Sequence, residues 1–250
     1  MVTGGASGIG RASVETIVAE GGRAVAIDLD GAALDRAADD WAADDDRIAV
    51  MSGDVTRADD NAAAVALAEE RFGHCNVAVL NAGIPMSGDI VELPIEEFDR
   101  VMEVNVRGVV LGIRAAVPAM RRAGGGSIVA TASTSGIGAD PTMWPYNTSK
   151  AAVINLVRAT AIDLAAEGIR VNAVCSGPTE TGMTAARAGS EWKAEITRHI
   201  PMQRWGEAAE LAAAVSFLAS PAASFVTGVA LPVDGGVTAS TSQFMPRETP

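Results

Sequence analysis

The chain has 250 residues, of which 48% are hydrophobic and 20% are charged, a composition typical of a globular protein that buries a large core. Its 19 basic and 31 acidic residues give a formal net charge of −12, so its surface would repel nucleic-acid backbones and anionic membranes. The composition therefore argues against nucleic-acid and membrane partners. It also contains one unusual count, a single tyrosine, Tyr146.

The cysteines and the start of the chain bear on the cellular compartment. Cys75 and Cys175 are too few and too far apart for a disulfide framework or a zinc site, so we expect buried free thiols in a reducing cytosol. The first residues lack the basic and apolar segments of an export signal. The charge-free stretch 211–233 contains Pro221 and Pro232, so it predicts a helix, a loop and a strand rather than a membrane span. These features predict a cytoplasmic protein.

Short apolar runs alternate along the chain with longer alanine-rich segments, whose apolar residues recur every three or four positions. This alternation is typical of βαβ units built on a parallel sheet. We therefore predict an α/β protein with a single domain over 1–250: a doubly wound, Rossmann-type parallel sheet of about seven strands with helices on both faces. The predicted strands are 2–3, 23–28, 48–51, 77–80, 127–131, 171–174 and 229–233.

A glycine-rich loop, Thr-Gly-Gly-Ala-Ser-Gly-Ile-Gly at 3–10, follows the first predicted strand and precedes a predicted helix. Glycines let a pyrophosphate approach the backbone, and the free N–H groups at a helix start attract the same anion. The order G-x-x-x-G-x-G differs from the commoner G-x-G-x-x-G, and such a loop can also simply close a tight connection. However, Asp28 ends the next strand, eighteen residues after Gly10, where a carboxylate meets the adenosine ribose. The combination favours dinucleotide binding.

Asp28 also discriminates between cofactors. Its carboxylate can accept hydrogen bonds from both ribose hydroxyls, but it would repel the 2′-phosphate of NADP. No lysine or arginine stands at Ser7 or Leu29 to offset this repulsion. We therefore predict NAD as the cofactor.

Tyr146 and Lys150 are four residues apart at the start of a predicted helix and so share one of its faces. A phenol has an ordinary pKa of about 10, so it acts as a base near neutral pH only if that pKa falls by about 3, or about 4 kcal/mol. A neighbouring ammonium supplies this stabilisation only in a partly dehydrated cleft, and a helix start and an oxidised nicotinamide act in the same direction. The pair alone is weak evidence, because surface helices show the same spacing by chance.

Taken together, these residues resemble the short-chain dehydrogenase/reductase family over essentially the whole chain. The glycine loop resembles the family's cofactor loop, and the stretch 217–236 resembles its last helix and strand. Asn105, Ser133, Tyr146 and Lys150 resemble its catalytic tetrad, with Ser133 thirteen residues before the tyrosine. Family members normally carry several more residues before the loop threonine, so we expect a shortened first strand and lower stability than in longer relatives.

The resemblance implies a role for each member of the tetrad. Tyr146 would exchange a proton with the substrate oxygen, and Ser133 would hydrogen-bond the same oxygen. Lys150 would lower the tyrosine pKa and hold the nicotinamide ribose, and Asn105 would hold a water that links the lysine to solvent. Two alternatives stay open: Ser133 lies in a hydroxyl-rich loop that often satisfies only local backbone, and Asn105 is equally compatible with a buried structural amide.

The resemblance also implies the cofactor contacts. Asp54 and Val55 would contact adenine, and Ser176 stands where the family usually has proline, which leaves Gly177 in place. The residues expected to contact NAD are Gly4, Ser7, Gly8, Ile9, Gly10, Asp28, Leu29, Asp54, Val55, Asn81, Ala82, Gly83, Tyr146, Lys150, Gly177, Thr179 and Thr181.

In the family, the region corresponding to 182–205 covers the substrate, and we expect a lid there and a tail at 237–250. Apolar residues of this lid and of the catalytic loops predict a pocket for an uncharged, apolar or alicyclic alcohol or ketone, although three cations lie nearby. The apolar residues are Met183, Trp192, Met202 and Trp205, with Ile84, Met143 and Trp144; the cations are Arg187, Lys193 and Arg198.

We therefore predict an NAD-dependent oxidoreductase that interconverts a secondary alcohol and a ketone. A 3-oxoacyl-thioester reductase and a non-catalytic NAD(H)-binding sensor or scaffold remain as alternatives. The resemblance further implies a homotetramer built on the helices around 106–120 and 147–166 and on the last strand and tail. His74 and His199 have no metal-ligand spacing, and we predict no metal. The acidic cluster between Asp39 and Asp46 is interpreted as a solvated helix end.

Overall fold

A parallel sheet of seven strands runs through the protein in the order β3-β2-β1-β4-β5-β6-β9. The computed structural model describes residues 1–44, 46–185 and 189–240. The order reverses between β1 and β4, which is where ligands bind in open α/β sheets. The strands are β1 Val2–Thr3, β2 Ala24–Asp28, β3 Ile48–Ser52, β4 Val77–Leu80, β5 Gly126–Ser133, β6 Ile169–Ser176 and β9 Ala230–Val233; β7 Thr179–Glu180 and β8 Gly206–Glu207 form a separate pair.

Helices connect the strands and cover both faces of the sheet. They are α1 Gly8–Ala19, α2 Gly31–Asp40, α3 Ala58–Phe72, α4 Ile95–Met102, α5 Gly108–Arg122, α6 Trp144–Leu164, α7 Gly182–Ala185, α8 Ser190–Arg198 and α9 Ala208–Ala219. A π-helical turn, Glu103–Arg107, joins α4 to α5. Such wide turns are frequent at functional sites, and this one contains Asn105.

The sheet separates two apolar layers, and the alternation of side chains along each strand supplies both. On β2, Val25 and Ile27 pack with α3, α5 and α6, whereas Ala24 and Ala26 pack with α1, α2 and α9. All four side chains are buried. Because both faces are covered, the strands read as continuous apolar runs, which is why the predicted strands are confirmed, with ends that differ by no more than two residues.

The structure also bears on the predictions for the cysteines, the histidines and a membrane span. Cys75 and Cys175 are buried and free, as predicted, and His74 and His199 are exposed. Within the described part of the chain, no helix is long and apolar enough to cross a membrane. Asp45 of the acidic cluster, Arg187 of the lid and the tail from 241 onward lie outside the described residues.

Candidate functional site

The glycine loop lies at the carboxyl end of β1, beside the point where the strand order reverses. Its fold requires glycine at one position in particular, since a Cβ at Gly10 would lie 2.0 Å from the carbonyl oxygen of Gly4. Gly8 begins α1, and its N-cap Ser7 makes no side-chain capping bond. The first N–H groups of the helix therefore face the crevice with their partial positive charge.

Asp28 is tied directly to this loop. Its Oδ2 accepts a hydrogen bond from the Ala6 N–H at 3.1 Å, and its Oδ1 accepts one from the Asp30 N–H at 3.1 Å. A carboxylate has about four lone-pair sites, so both oxygens can still accept bonds from ribose hydroxyls. The strand β2 ends at Asp28, as predicted, and the contact of Asp28 with the ribose stays a prediction.

Asn81 joins three neighbouring strands at the bottom of the crevice. Its Nδ2 donates to the Thr3 carbonyl oxygen at 3.1 Å, and its main-chain N–H donates to the Thr3 hydroxyl at 2.9 Å. Its Oδ1 accepts from the Thr131 hydroxyl at 3.0 Å. The structural role of Thr131 is not visible in the sequence, because this residue belongs to no recognisable spacing, whereas Thr3 belongs to the glycine-loop motif.

Asp54 and Val55 follow β3 on the far side of the glycine loop. The Asp54 N–H donates to Asp60 Oδ2 at 2.8 Å, and Asp54 Oδ1 accepts from the Thr56 N–H at 2.9 Å. These bonds fix the turn, and Val55 lies against α5, with its Cγ2 3.0 Å from the position of a Cβ at Gly108. The pair is thus placed at the carboxyl edge of β3, the edge on which adenine is expected.

Tyr146 and Lys150 lie in the first turns of α6, as the spacing predicts. The Lys150 side chain is buried; its Nζ lies 5.5 Å from the centre of the Tyr146 ring and donates to the Thr131 carbonyl oxygen at 2.8 Å. Ser133 ends β5 and is close enough to Tyr146 to act on the pKa of its phenol. The structure therefore brings the predicted serine, tyrosine and lysine together.

Burial governs the acid–base properties of this group. It raises the pKa of Tyr146, with a smaller contribution from the charge of Asp140, while the hydrogen bond with Ser133 acts in the opposite direction. Burial also lowers the pKa of Lys150 to about 8 and raises that of the adjacent Cys175 thiol to about 11. Burial thus holds the pKa of Tyr146 above its ordinary value, and the lowering expected with NAD bound stays a prediction.

Asn105 is buried in the π-helical turn, where its side chain is occupied by protein groups. Its Oδ1 accepts from the Ile84 N–H at 2.8 Å, and its Nδ2 donates to the Ile84 carbonyl oxygen and to the Ser149 hydroxyl, both at 3.0 Å. A Cβ at Gly83 would lie 3.2 Å from Asn105 Oδ1 and 3.4 Å from Lys150 Nζ. The side chain has the contacts of a structural amide, and the predicted water contact stays a prediction.

The segment after β6 closes the crevice opposite the glycine loop. Gly177 packs against the backbone of Asp234, since a Cβ would lie 2.6 Å from its Cα, and the Thr179 hydroxyl donates to the Gly177 carbonyl oxygen at 2.9 Å. A Cβ at Gly8 would lie 3.4 Å from Cγ2 of Thr181. Thr181 therefore lies directly beside the start of α1.

The lid residues form contacts of their own. The rings of Trp192 and Trp205 lie 5.5 Å apart, and the Trp205 indole N–H donates to the Thr197 hydroxyl at 3.1 Å. Lys193 pairs with Glu180 at 2.6 Å. Trp205 is buried, so it packs the lid in the way expected of a structural residue.

Arg198 and Trp144, which were predicted to lie near the substrate, also contact other side chains. Arg198 pairs with Glu195 at 2.8 Å, and Trp144 stacks on Phe98 of α4, with ring centres 5.4 Å apart. The contribution of Trp144 to a substrate pocket stays a prediction. In the ranges 1–44, 46–185 and 189–240, no cluster of histidine, cysteine and carboxylate side chains could hold a metal ion.

The chain is similar to known oxidoreductases over nearly its full length. A family model described as enoyl-(acyl carrier protein) reductase matches residues 4–238. The 2-(R)-hydroxypropyl-CoM dehydrogenase of Xanthobacter autotrophicus is 42% identical over 244 residues, which cover 96% of this chain and 98% of that protein. The meso-2,3-butanediol dehydrogenase of Serratia marcescens is 35% identical over 249 residues, 97% of this chain and 95% of that protein.

A hydroxysteroid dehydrogenase and a solved reductase structure are also similar to this chain over nearly its full length. The 3-alpha-(or 20-beta)-hydroxysteroid dehydrogenase of Mycobacterium tuberculosis is 37% identical over 240 residues, 96% of this chain and 88% of that protein. The crystal structure of levodione reductase superimposes with a TM-score of 0.91 at 33% identity, covering 95% of this chain and 96% of that one.

The buried lysine yields a stability prediction. At pH 7, keeping Lys150 charged costs up to about 3 kcal/mol relative to an exposed lysine, and its bond to Thr131 returns only about 1 kcal/mol. Lys150→Met should therefore raise the free energy of unfolding by about 1–2 kcal/mol in urea titrations at pH 7.

The pH dependence has a defined sign. Because the pKa of Lys150 is about 8 in the fold, against 10.5 for an exposed lysine, the native protein gains stability as pH rises through that window. The advantage of Lys150→Met should therefore shrink between pH 8 and 10.5. Lys193→Met, at the chain's one other lysine, should change stability by less than about 0.5 kcal/mol. A less stable Lys150→Met protein at pH 7 would contradict the assignment.

Proposed function

Because the chain belongs to the short-chain dehydrogenase/reductase family, we propose that it is an NAD-dependent oxidoreductase that interconverts a secondary alcohol and a ketone, with Tyr146 as the acid/base. One observation carries this proposal: the phenol of Tyr146, the hydroxyl of Ser133 and the ammonium of Lys150 meet beside the crevice between β1 and β4. The family's oxidoreductase chemistry, its use of a nicotinamide cofactor and its secondary-alcohol substrates agree with this grouping.

The residues of the crevice suit a dinucleotide. Gly10 leaves no room for a side chain against Gly4, and the start of α1 offers N–H groups for a pyrophosphate. When bound, the nicotinamide cofactor supplies the hydride acceptor for alcohol oxidation and the hydride donor for ketone reduction. The residues that would hold it are Gly4, Ser7, Gly8, Ile9 and Gly10 at the phosphates, Asp28, Leu29, Asp54 and Val55 at the adenosine, and Asn81, Ala82, Gly83, Tyr146, Lys150, Gly177, Thr179 and Thr181 at the nicotinamide half.

Tyr146, Ser133 and Lys150 each have a separate role in the proton transfer. Tyr146 takes the proton from the alcohol oxygen during oxidation and returns it during reduction. Ser133 fixes that oxygen by a hydrogen bond, and Lys150 favours the phenolate by its charge. Lys150 has a pKa of about 8, so it carries its charge at neutral pH in spite of burial.

The substrate proposed is an uncharged, mostly apolar or alicyclic alcohol or ketone under a lid formed by 182–205. Lys193 and Arg198 each pair with a glutamate, and a paired cation has less attraction for a substrate carboxylate. The names of the relatives include hydroxypropyl-CoM, butanediol and hydroxysteroid compounds. All three contain a hydroxyl group, which supports an alcohol substrate, whereas hydroxypropyl-CoM also carries a sulfonate and gives no support for the absence of charge. A 3-oxoacyl-thioester reductase remains the second candidate, since the matching family model is described by an acyl-carrier substrate.

Tyr146→Phe tests the chemistry. Removing the only phenol should lower kcat by at least about 100-fold, because general acid–base catalysis contributes that much or more, while the Kd for NADH changes by less than about threefold. The measurement is NADH absorbance with a panel of secondary alcohols, ketones and one 3-oxoacyl thioester. Phe217→Leu, at an exposed phenylalanine of α9, serves as the control. Undiminished turnover in Tyr146→Phe would refute the assignment, and binding of NADH without turnover of any panel member by the native protein would favour a sensor.

Cofactor preference tests Asp28. Repulsion of the 2′-phosphate should favour NAD over NADP by at least about 100-fold in kcat/KM, since like charges in contact cost several kcal/mol. Asp28→Asn should reduce this ratio by about tenfold or more. Asp35→Asn, an exposed carboxylate on α2, should leave it unchanged. Equal use of NADPH and NADH by the native protein would show that Asp28 does not select the cofactor.

We also propose a cytoplasmic homotetramer. Two large apolar side chains support an interface on the α6 side of the molecule: Ile162 is 80% exposed on α6, and Phe225 is fully exposed ahead of β9. Light scattering should give four times the chain mass of 25.5 kDa. Ile162→Asp or Phe225→Asp should lower that mass, whereas Leu29→Asp at the cofactor edge should not. A native protein that is monomeric at working concentration would contradict the proposal.

A further inference from the structure

A chain of three side chains leads from the catalytic group to the surface. The Ser133 hydroxyl donates to the Ser135 hydroxyl at 3.1 Å, and the Ser135 hydroxyl donates to Asp140 Oδ2 at 2.5 Å. Ser133 and Ser135 are both buried, whereas Asp140 is exposed. None of the residues beyond Ser133 belongs to the tetrad, so the chain is an addition to the predicted site.

The backbone holds this chain in place. Ser133 caps the 3₁₀ turn Thr134–Gly136 by accepting the Ser135 N–H at 3.1 Å. The same turn packs against α6, because a Cβ at Gly136 would lie 2.5 Å from the carbonyl carbon of Lys150. At the other end, the Asp140 carbonyl oxygen accepts from Asn147 Nδ2 at 2.9 Å. The three side chains therefore do not meet by the chance orientation of a free loop.

The chemistry of the three groups fixes the direction of every bond. An ionised carboxylate only accepts hydrogen bonds, so the Ser135 hydroxyl must donate its one proton to Asp140. Ser135 can then only accept from Ser133, so the proton of Ser133 is held by Ser135. A hydrogen bond with Ser133 lowers the pKa of Tyr146, and a Ser133 proton that is held by Ser135 is withheld from the phenolate. The chain therefore favours the protonated form of Tyr146.

We propose that Asp140 is a positioning residue that, acting through Ser135, directs the hydroxyl of Ser133 and so keeps Tyr146 protonated until substrate and cofactor bind. The catalytic consequence rests on the proposed function, but the effect on the phenol does not. Breaking the bond from Ser133 to Ser135 leaves the Ser133 proton free to donate to a phenolate or to a substrate oxygen.

The charges around the phenol agree with this direction. The charge of Asp140 itself raises the pKa of Tyr146. Lys150 faces the ring from the same helix, and Cys175 on β6 faces Lys150; Arg158 and Asp234 in turn act on Cys175. Removing the charge of Asp140 and releasing the Ser133 proton should thus both lower the tyrosine pKa.

The single tyrosine makes the test direct. Protein labelled with ¹³C at the ring Cζ of tyrosine gives one NMR signal, which must come from Tyr146. Its pKa should fall by roughly 0.5–1 in Asp140→Asn, the effect of one charge within about 10 Å at a dielectric between those of protein and water. Ser135→Ala keeps the charge but breaks the chain, and it should lower the same pKa by a smaller, measurable amount. Asp39→Asn, which removes an exposed charge on α2, should leave it unchanged.

The outcomes are distinct. An unchanged tyrosine pKa in both variants overturns the proposal, and a shift in Asp140→Asn without any shift in Ser135→Ala overturns the route through Ser135. In kinetics, the rising limb of the pH profile of kcat for alcohol oxidation should move to lower pH by the same amount in Asp140→Asn. If the native protein turns over no substrate, the proposed function fails, while the NMR titration still decides whether Asp140 directs Ser133.

Discussion

Thr131 is the residue through which the glycine loop and the group proposed to be catalytic are joined. Its hydroxyl donates to Asn81 Oδ1, and Asn81 in turn binds the backbone of Thr3 at the start of the glycine loop. Its carbonyl oxygen accepts from Lys150 Nζ. Two polar groups of one buried strand residue thus set the distance between the loop that would hold the phosphates and the helix that carries the phenol. This connection requires β1, β4 and β5 to be adjacent, which is what the strand order provides.

The same burial that positions the lysine makes its charge costly. Lys150 is kept charged in an interior where its pKa falls to about 8, and the neighbouring phenol is held in its protonated form. Functional sites commonly retain such unfavourable groups because the surrounding fold enforces them. The groups that the chain itself places around Tyr146 therefore favour the phenol over the phenolate, and the positive charge of an oxidised nicotinamide cofactor would act in the opposite direction.

The sequence predicts the sheet well because strands covered on both faces must be apolar, and the runs at β2, β4 and β6 have no competing pattern. It also predicts the serine, the tyrosine and the lysine, since their spacing is fixed by one strand and one helix. It does not predict the π-helical turn around Asn105, whose side chain is held by Ile84 from another loop. It equally misses Asp140, because the bond to Ser135 depends on how a surface loop returns to the strand, which local propensities do not determine.

Electrostatics at longer range narrows the choice of substrate. A formal charge of −12 on 250 residues creates a negative potential that lowers the local concentration of anionic substrates, and Asp140 adds a carboxylate beside the catalytic serine. The described lysine and arginine residues of 182–205 are Lys193, Arg198 and Arg204, and each forms an ion pair with a glutamate. Acyl thioesters on phosphate-bearing or acidic carriers would approach against this field, whereas a neutral alcohol or ketone would not. The charge distribution therefore supports the proposed neutral alcohol or ketone over the acyl-carrier alternative. This argument is separate from the one based on apolar side chains.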